Sequence, residues 1–377
     1  MTEGPAYSRP AWVDVDLDAI RANVRALAAA AAPAALLATV KADAYGHGAV
    51  PVARAAVEAG AAFLGVAFVE EGIELRDAGI DAPIMLLSEP PPAAAAAVIA
   101  QRLTPLVYTA NGIDALAKAV VDAGAPPHAV HLKVDTGMHR VGCAVPDALG
   151  LAEMIAARDE LEFEGLATHL AVADEPDSDY TDGQLDSFDD VVAAITSRVG
   201  RPAIIHAANS AGLLAHDRAR YDLVRAGIAL YGITPVDEAV TEVTLRPALS
   251  LHARVSYVKQ LDAGARVSYG LRYTLPAAAR IATVPVGYAD GVPRALGAVG
   301  GEVLVHGVRR PIAGTVTMDQ LLVDVGDLEV AVDDVVVLLG RQGTHEITAD
   351  DWAARLDTIP YEVVTRLGGR LPRRYSS

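Results

Sequence analysis

The chain has 377 residues, 52% of them apolar and 21% charged, and a formal charge of −17. This is the composition of a globular protein, not a disordered one, and the length suggests two domains. The acidity argues against nonspecific binding to nucleic acid or an anionic membrane, both of which need a basic surface, although local basic pockets stay open. Cys143 is the one cysteine, so no intrachain disulfide can form, as expected in a reducing compartment. The N-terminal MTEGPAYSRP has no apolar h-region, and Ala26 to Val40, interrupted by Pro33, is too short to span a bilayer. These features lead us to expect a cytoplasmic enzyme.

Trp12, Val13 and Val15 alternate with Asp14 and Asp16 as in a short strand, and Leu17, Ile20, Val24 and Leu27 then mark one face of a helix that Asp16 or Asp18 could cap. Eight β-like runs follow: Leu36 to Val40, Phe63 to Phe68, Pro83 to Ser88, Leu103 to Tyr108, Val130 to Asp135, Phe163 to His169, Ile204 to Asn209 and Leu223 to Leu230. Helical patterns separate most of them, several ending at a glycine suited to a left-handed cap (Gly60, Gly79, Gly124, Gly200). An open doubly wound sheet would give a similar alternation, but eight parallel strands fit closure well, so the expected fold is a (β/α)8 TIM-like barrel over residues 17–240. Beyond Glu242, Val-rich runs divided by glycine turns (Ser250 to Lys259, Arg280 to Val286, Glu302 to Val305, Leu321 to Val325, Asp334 to Leu339) predict a mostly β-strand domain built from residues 11–16 and 241–377. Thr348 and Asp351 have capping-box spacing ahead of a last helix.

Barrel enzymes carry their sites at the C-terminal strand ends, often with phosphate held by the loops after strands seven and eight. Here the stretch VKADAYGHG (Val40 to Gly48) sets Lys41 at the end of strand one, and only Lys118, Lys133 and Lys259 share its chemistry. Burial there would lower its pKa and make it a nucleophile or base; the bland alternative is a strand-end lysine reaching for solvent. Other strand ends offer Asp135 with Arg140, then His169, then His206, Asn209 and Ser210, then Arg225 with Gly227. A lysine on strand one, Ser210 with the backbone of Gly227 and Ile228 as a phosphate cradle, and an arginine on strand eight describe a pyridoxal 5'-phosphate site. No His/Asp/Glu spacing suggests a metal.

With these residues in view, the chain resembles the alanine racemase family of fold-type III pyridoxal phosphate enzymes. The motifs run in order along nearly the whole chain: VKADAYGHG, LKVDTGMHRVG (Leu132 to Gly142), LATHLAVAD (Leu166 to Asp174), IHAANSAG (Ile205 to Gly212), VRAGIALYG (Val224 to Gly232), VSYG (Val267 to Gly270), VGYADG (Val286 to Gly291), TMDQ (Thr317 to Gln320) and TIPYEVV (Thr358 to Val364). The resemblance implies that Lys41 is the Schiff-base lysine and that Tyr45, Ser210, Gly227, Ile228 and Tyr361 hold the phosphate, with Asn209 beside them. It also implies that His169 packs on the cofactor ring, that Arg225 faces its nitrogen, and that Arg140 and the Met318 N–H bind the substrate carboxylate. Tyr269 would be the second acid/base, supplied across a homodimer interface to the other subunit's Lys41. Lys133 matches a lysine commonly carboxylated in the family; the alternative is an unmodified lysine paired with Asp135 or another carboxylate.

Racemisation needs proton transfer on both faces of the α-carbon, which two groups supply most simply. The implied activity is racemisation of L- and D-alanine for peptidoglycan precursors. A broader amino-acid or serine racemase, and a noncatalytic pyridoxal phosphate carrier, are the alternatives; the carrier would leave the β domain and Tyr269 without a purpose. Departures from the commoner family pattern are His139 for glycine, Ala226 for proline and Thr317 for cysteine. Taken singly, Asp174 and Asp319 have as their bland reading acidic loop residues that only bind backbone amides.

Overall fold

The structure, a computed structural model, describes residues 9–377, and the first eight residues of the N-terminal stretch read above lie outside them. The chain divides into two compact units, one of residues 18–44 and 49–246, the other of residues up to 17, 45–48 and 247–377.

Eight strands of the first unit form one series: Ala35–Thr39, Phe63–Val66, Ile84–Leu86, Leu103–Val107, His128–Asp135, Leu161–Ala167, Ile204–His206 and Leu223–Ala226. Each from one to six pairs in parallel with the next along the series, and strand eight pairs with strand one through Leu223↔Ala35 and Arg225↔Leu37. Across the remaining gap, between strands seven and eight, Asp222 N–H donates to the Ile205 carbonyl and Arg225 N–H to that of Ala208. The result is a nearly closed parallel barrel. Its helices carry the signals their sequences promise: Thr109 caps Ala110–Ala123 by accepting from Gly112 N–H, and Gly124 ends that helix at φ 58°.

Side chains alternate along a strand, so residues of one parity line the lumen. One side of it is apolar, made by Leu37, Phe63, Met85, Leu106 and Leu223. The other side is not. His131 and Lys133 of strand five stand in register with Gly165 and Ala167 of strand six, and Ala167 with His206 of strand seven. With Arg225 of strand eight they form a buried polar wall in a place that barrels ordinarily fill with branched apolar residues. Buried polar groups must find partners, and these partners build the site.

The second unit is mostly β. Strand Ala11–Asp16 lies antiparallel to Leu249–Arg254 and parallel to Arg373–Ser376; from Leu249–Arg254 the sheet continues through Val335–Gln342, Glu302–Val305 and Val308–Pro311. A separate three-stranded sheet joins Tyr257–Leu261, Ala279–Val284 and Leu321–Gly326. The run Ser250 to Lys259, expected as one strand, is therefore two strands in different sheets. Its break falls where Val255 N–H donates to Asp334 and Ser256 N–H to Thr283, so the chain changes partners there. The core is an aliphatic cluster including Val13, Val15, Leu251, Val303 and Leu338, closed by Trp352 of the last capped helix. Thr348 accepts from Asp351 N–H and Asp351 from Thr348 N–H, the reciprocal cap that the spacing predicts.

Candidate active site

Lys41 opens a six-residue helical turn, Lys41–Gly46, that winds left-handed. Ala42, Asp43, Ala44 and Tyr45 have φ of 53°, 53°, 51° and 54°, and Gly46 has 81°. Each non-glycine residue in that conformation costs roughly 1–2 kcal/mol, so the turn persists only where its surroundings over-determine it. Glu71 does much of this. One carboxylate oxygen accepts from Ala42 N–H (2.7 Å), the other from Ala67 N–H (2.7 Å) and Phe68 N–H (3.2 Å), tying the residue after Lys41 to the end of strand two. Asp43 adds a bond from Ala49 N–H (2.8 Å). The sequence reading passed over Glu71, whose one signal is its place three residues beyond Phe68 at a helix start.

Lys41 stands among cations. Burial lowers its pKa and Arg140 lowers it further, with Glu71 opposing. Burial, then Arg225, Arg140 and Lys41, push Lys133 down to about 7 against Asp135, and burial alone brings Arg225 to about 10. Burial and then Arg225 hold His169 and His206 neutral. Among the described residues Lys133 does not pair with Asp135, whose carboxylate instead accepts from Gly137 N–H (3.0 Å), His139 N–H (2.9 Å) and His139 Nδ1 (3.2 Å). His139 has φ 56°, which accounts for glycine being frequent there, and its side chain is 79% exposed.

Between the depressed value of Lys133 and the ordinary lysine value of ~10.4, the unfolded chain binds a proton that the folded chain does not. Stability of the ligand-free protein should therefore rise as pH is raised from about 7 toward ~10. Thermal unfolding of Lys133→Met should show a flatter rise than the parent; parallel curves would mean that Lys133 is not depressed.

After strand seven, Asn209 Oδ1 caps the helix Ser210–Ala215 by accepting from Gly212 N–H (2.9 Å). Ser210 Oγ accepts from Gly227 N–H (2.8 Å) and Ala229 N–H (3.4 Å), which leaves its own hydrogen to donate outward. Ile228 begins the short turn Ile228–Tyr231, so its N–H has no acceptor within that turn. A donor set that follows the strand carrying buried Arg225, in a chain that is acidic overall, suits an anion. The residues present fit a phosphate-bearing cofactor.

The second unit holds the other predicted residues. Tyr45 and Tyr361 face each other with ring centroids 6.2 Å apart, and burial together with Tyr361 pushes the Tyr45 phenol up. Arg373 fastens this segment, donating from Nη2 and Nε to the Gly46 carbonyl (2.9 and 3.1 Å). Tyr269 opens a tight turn between Ser268 (φ 62°) and Gly270 (φ 75°). Its carbonyl accepts from Thr315 Oγ1 (3.0 Å) while Ser268 Oγ donates to the Thr315 carbonyl (2.6 Å), so the backbone is pinned and the phenol, 71% exposed, stands out. Nearby in sequence, Thr317 N–H and Oγ1 both donate to the Gln320 carbonyl (2.9 and 2.7 Å), closing a loop with Met318 at its tip. Met318 N–H has no acceptor among the described residues. Gly287 lets this loop approach, since a Cβ there would overlap the Thr317 and Met318 backbone. Asp319 pairs with Arg370 (2.6 Å).

A half-buried lysine after the first strand of a parallel barrel and a set of donors after strands seven and eight stand where barrel enzymes keep their sites. The comparisons with known proteins identify the family. The family model for the alanine racemase N-terminal domain matches residues 15–235, and that for the C-terminal domain residues 248–375. An alanine racemase of Symbiobacterium thermophilum is 49% identical over 368 residues, covering 97% of each chain. The crystal structure of alanine racemase from Bacillus anthracis with bound L-Ala-P superposes with a TM-score of 0.92 at 38% identity, covering 99% of this chain and 96% of that one. The alanine racemase of Bartonella henselae with covalently bound pyridoxal phosphate matches at 0.87 and 30% identity, covering 97% of this chain and 99% of that one. The chain belongs to the alanine racemase family, a pyridoxal phosphate-dependent family, and is an isomerase acting on amino acids.

Proposed function

We propose that this enzyme interconverts L- and D-alanine with pyridoxal 5'-phosphate, as a cytoplasmic homodimer supplying D-alanine for peptidoglycan precursors. The observation that carries this reading is the left-handed turn that sets Lys41 beside Lys133 and Arg140, where burial and charge favour its neutral amine. Lys41 would hold the cofactor covalently. Tyr45, Asn209, Ser210, Gly227, Ile228 and Tyr361 would hold its phosphate side, His169 its ring face and Arg225 its ring nitrogen. When bound, the cofactor acidifies the substrate α-C–H.

Lys41 Nζ then takes or returns the α-proton on one face, and Tyr269 of the partner subunit serves the other. The pinned backbone and exposed phenol of Tyr269 support that assignment, and exposed Leu271, Tyr288 and Met318 support a dimer face. An ordinary phenol loses its proton near ~10, so it needs a donor to its oxygen. Arg225 Nη2 donates to His169 Nδ1 (3.2 Å), which leaves neutral His169 with its hydrogen on Nε2 for that task. Arg140 and the unpartnered Met318 N–H would take the substrate carboxylate. Lys133, brought down to about 7, has near neutral pH a share of the free amine that adds carbon dioxide with loss of a proton; carbamate density in a crystal would support this and a bare amine would end it.

A coupled assay of the cofactor-loaded protein on both enantiomers of alanine and serine tests the reading. Alanine should interconvert with at least about tenfold the kcat/KM of serine, a margin a hydroxyl-sized change in a small pocket can supply. Equal rates would move the enzyme to the broader racemase class, and no interconversion would overturn the proposal.

A further inference from the structure

A chain of four groups joined end to end runs out of the polar wall of the barrel, and three of them have no part in the reading above. Arg225 Nη1 lies 2.7 Å from His206 Nδ1, His206 Nε2 lies 2.9 Å from His131 Nδ1, and His131 Nε2 lies 2.8 Å from Glu164 Oε2. Arg225, His206 and His131 are buried, and the Glu164 side chain is 25% exposed.

The hydrogens in this chain are forced. A guanidinium only donates, so His206 Nδ1 must accept from it. A neutral His206 then carries its hydrogen on Nε2 and donates to His131 Nδ1. His131, accepting there, carries its hydrogen on Nε2 and donates to the Glu164 carboxylate. Every bond points the same way, from the arginine to the acid. The fold makes room for it: a Cβ at Gly165 would overlap the His131 imidazole, and the register His131↔Gly165 places that glycine directly beside the ring. Arg225 has no ion-pair partner among the described residues, its other bonds going to the carbonyls of Thr168 and Ala207 (both 2.8 Å) and to His169. Hydrogen bonds in such a chain polarise one another, so a carboxylate at the far end strengthens the grip on the guanidinium.

We propose that Glu164 is a positioning residue for Arg225, acting through a one-way chain of two neutral histidines, Arg225 to His206 to His131 to Glu164. Its catalytic consequence rests on the reading that Arg225 faces the cofactor's ring nitrogen; the proton positions do not.

Neutron diffraction from crystals of the full-length, perdeuterated protein reads those positions directly. Deuterium is expected on Nε2 alone of both His131 and His206, and deuterium on Nδ1 of either ring would overturn the chain. Kinetics test its role. With cofactor bound, Glu164→Leu removes the terminal acceptor and should lower kcat about tenfold with KM within about twofold, the loss expected for one charge-assisted hydrogen bond. Glu164→Gln keeps a carbonyl acceptor and should restore most of that loss. A Leu variant with the parent's kcat would overturn the positioning role, as would a Gln variant as impaired as Leu. If Arg225→Ala itself keeps full activity, the cofactor-side reading fails, and the diffraction result still decides the direction of the chain.

Discussion

Lys41→Ala is expected to abolish racemisation of both enantiomers, lowering kcat/KM by at least about a thousandfold in a coupled assay. The substitution removes the covalent anchor and one proton-transfer group together, and general acid–base catalysis alone contributes about 10²–10⁴-fold. The loss should not come from unfolding. The left-handed turn is held through Ala42, Asp43 and Glu71, whose bonds involve the backbone of neighbours and not the Lys41 side chain. Borohydride treatment of the loaded parent, followed by peptide mapping, should mark Lys41 and none of Lys118, Lys133 or Lys259. Racemase activity retained in the alanine variant would remove Lys41 from the mechanism.

Tyr269→Phe should act on one direction of proton transfer only. The ring stays and the hydroxyl goes, so the face served by Lys41 continues to exchange its α-proton with solvent while interconversion falls by about 10²–10⁴-fold. In heavy water, nuclear magnetic resonance of the variant should show one alanine enantiomer losing its α-proton signal and the other keeping it. The backbone bonds to Thr315 do not involve the hydroxyl, so the turn at Ser268 to Gly270 should survive. Equal slowing of exchange for both enantiomers would point to a structural role for Tyr269.

Much of the barrel was legible because buried parallel strands read as short continuous apolar runs. The predicted runs overshoot the ladders at their C-terminal ends, as with Leu223 to Leu230 against Leu223–Ala226. There Ile228 and Leu230 are buried in the turn that follows the strand, so hydrophobicity continues after hydrogen-bonded pairing has stopped. In the β unit the edge strands Val308–Pro311 and Arg373–Ser376 went unread, because charge and proline suit an edge and erase the alternation that marks a strand. The left-handed turn at Lys41 was hidden for a related reason: Ala, Asp, Ala and Tyr have no individual preference for it, and the carboxylate that holds it lies thirty residues on.

Of the site, the residues at strand ends were readable from position, and the family motifs then assigned roles to Tyr269 and Met318. The histidine chain was not read, although parity carried a clue. His131 sits two residues before Lys133 and therefore faces the same lumen, and Gly165 stands opposite it where a side chain would not fit. Only the register between strands five and six turns those two facts into one.

The central claim is proton transfer by two different groups on opposite faces of alanine, and the parent enzyme tests it most directly in heavy water. L-alanine is converted with bound pyridoxal phosphate, and the α-position of each enantiomer is read at early times. The D-alanine formed should carry deuterium while the remaining L-alanine is still largely protiated, because the group that delivers the second proton is not the one that took the first. D-alanine that keeps the substrate's own α-proton would show a single group working both faces, and would contradict the account.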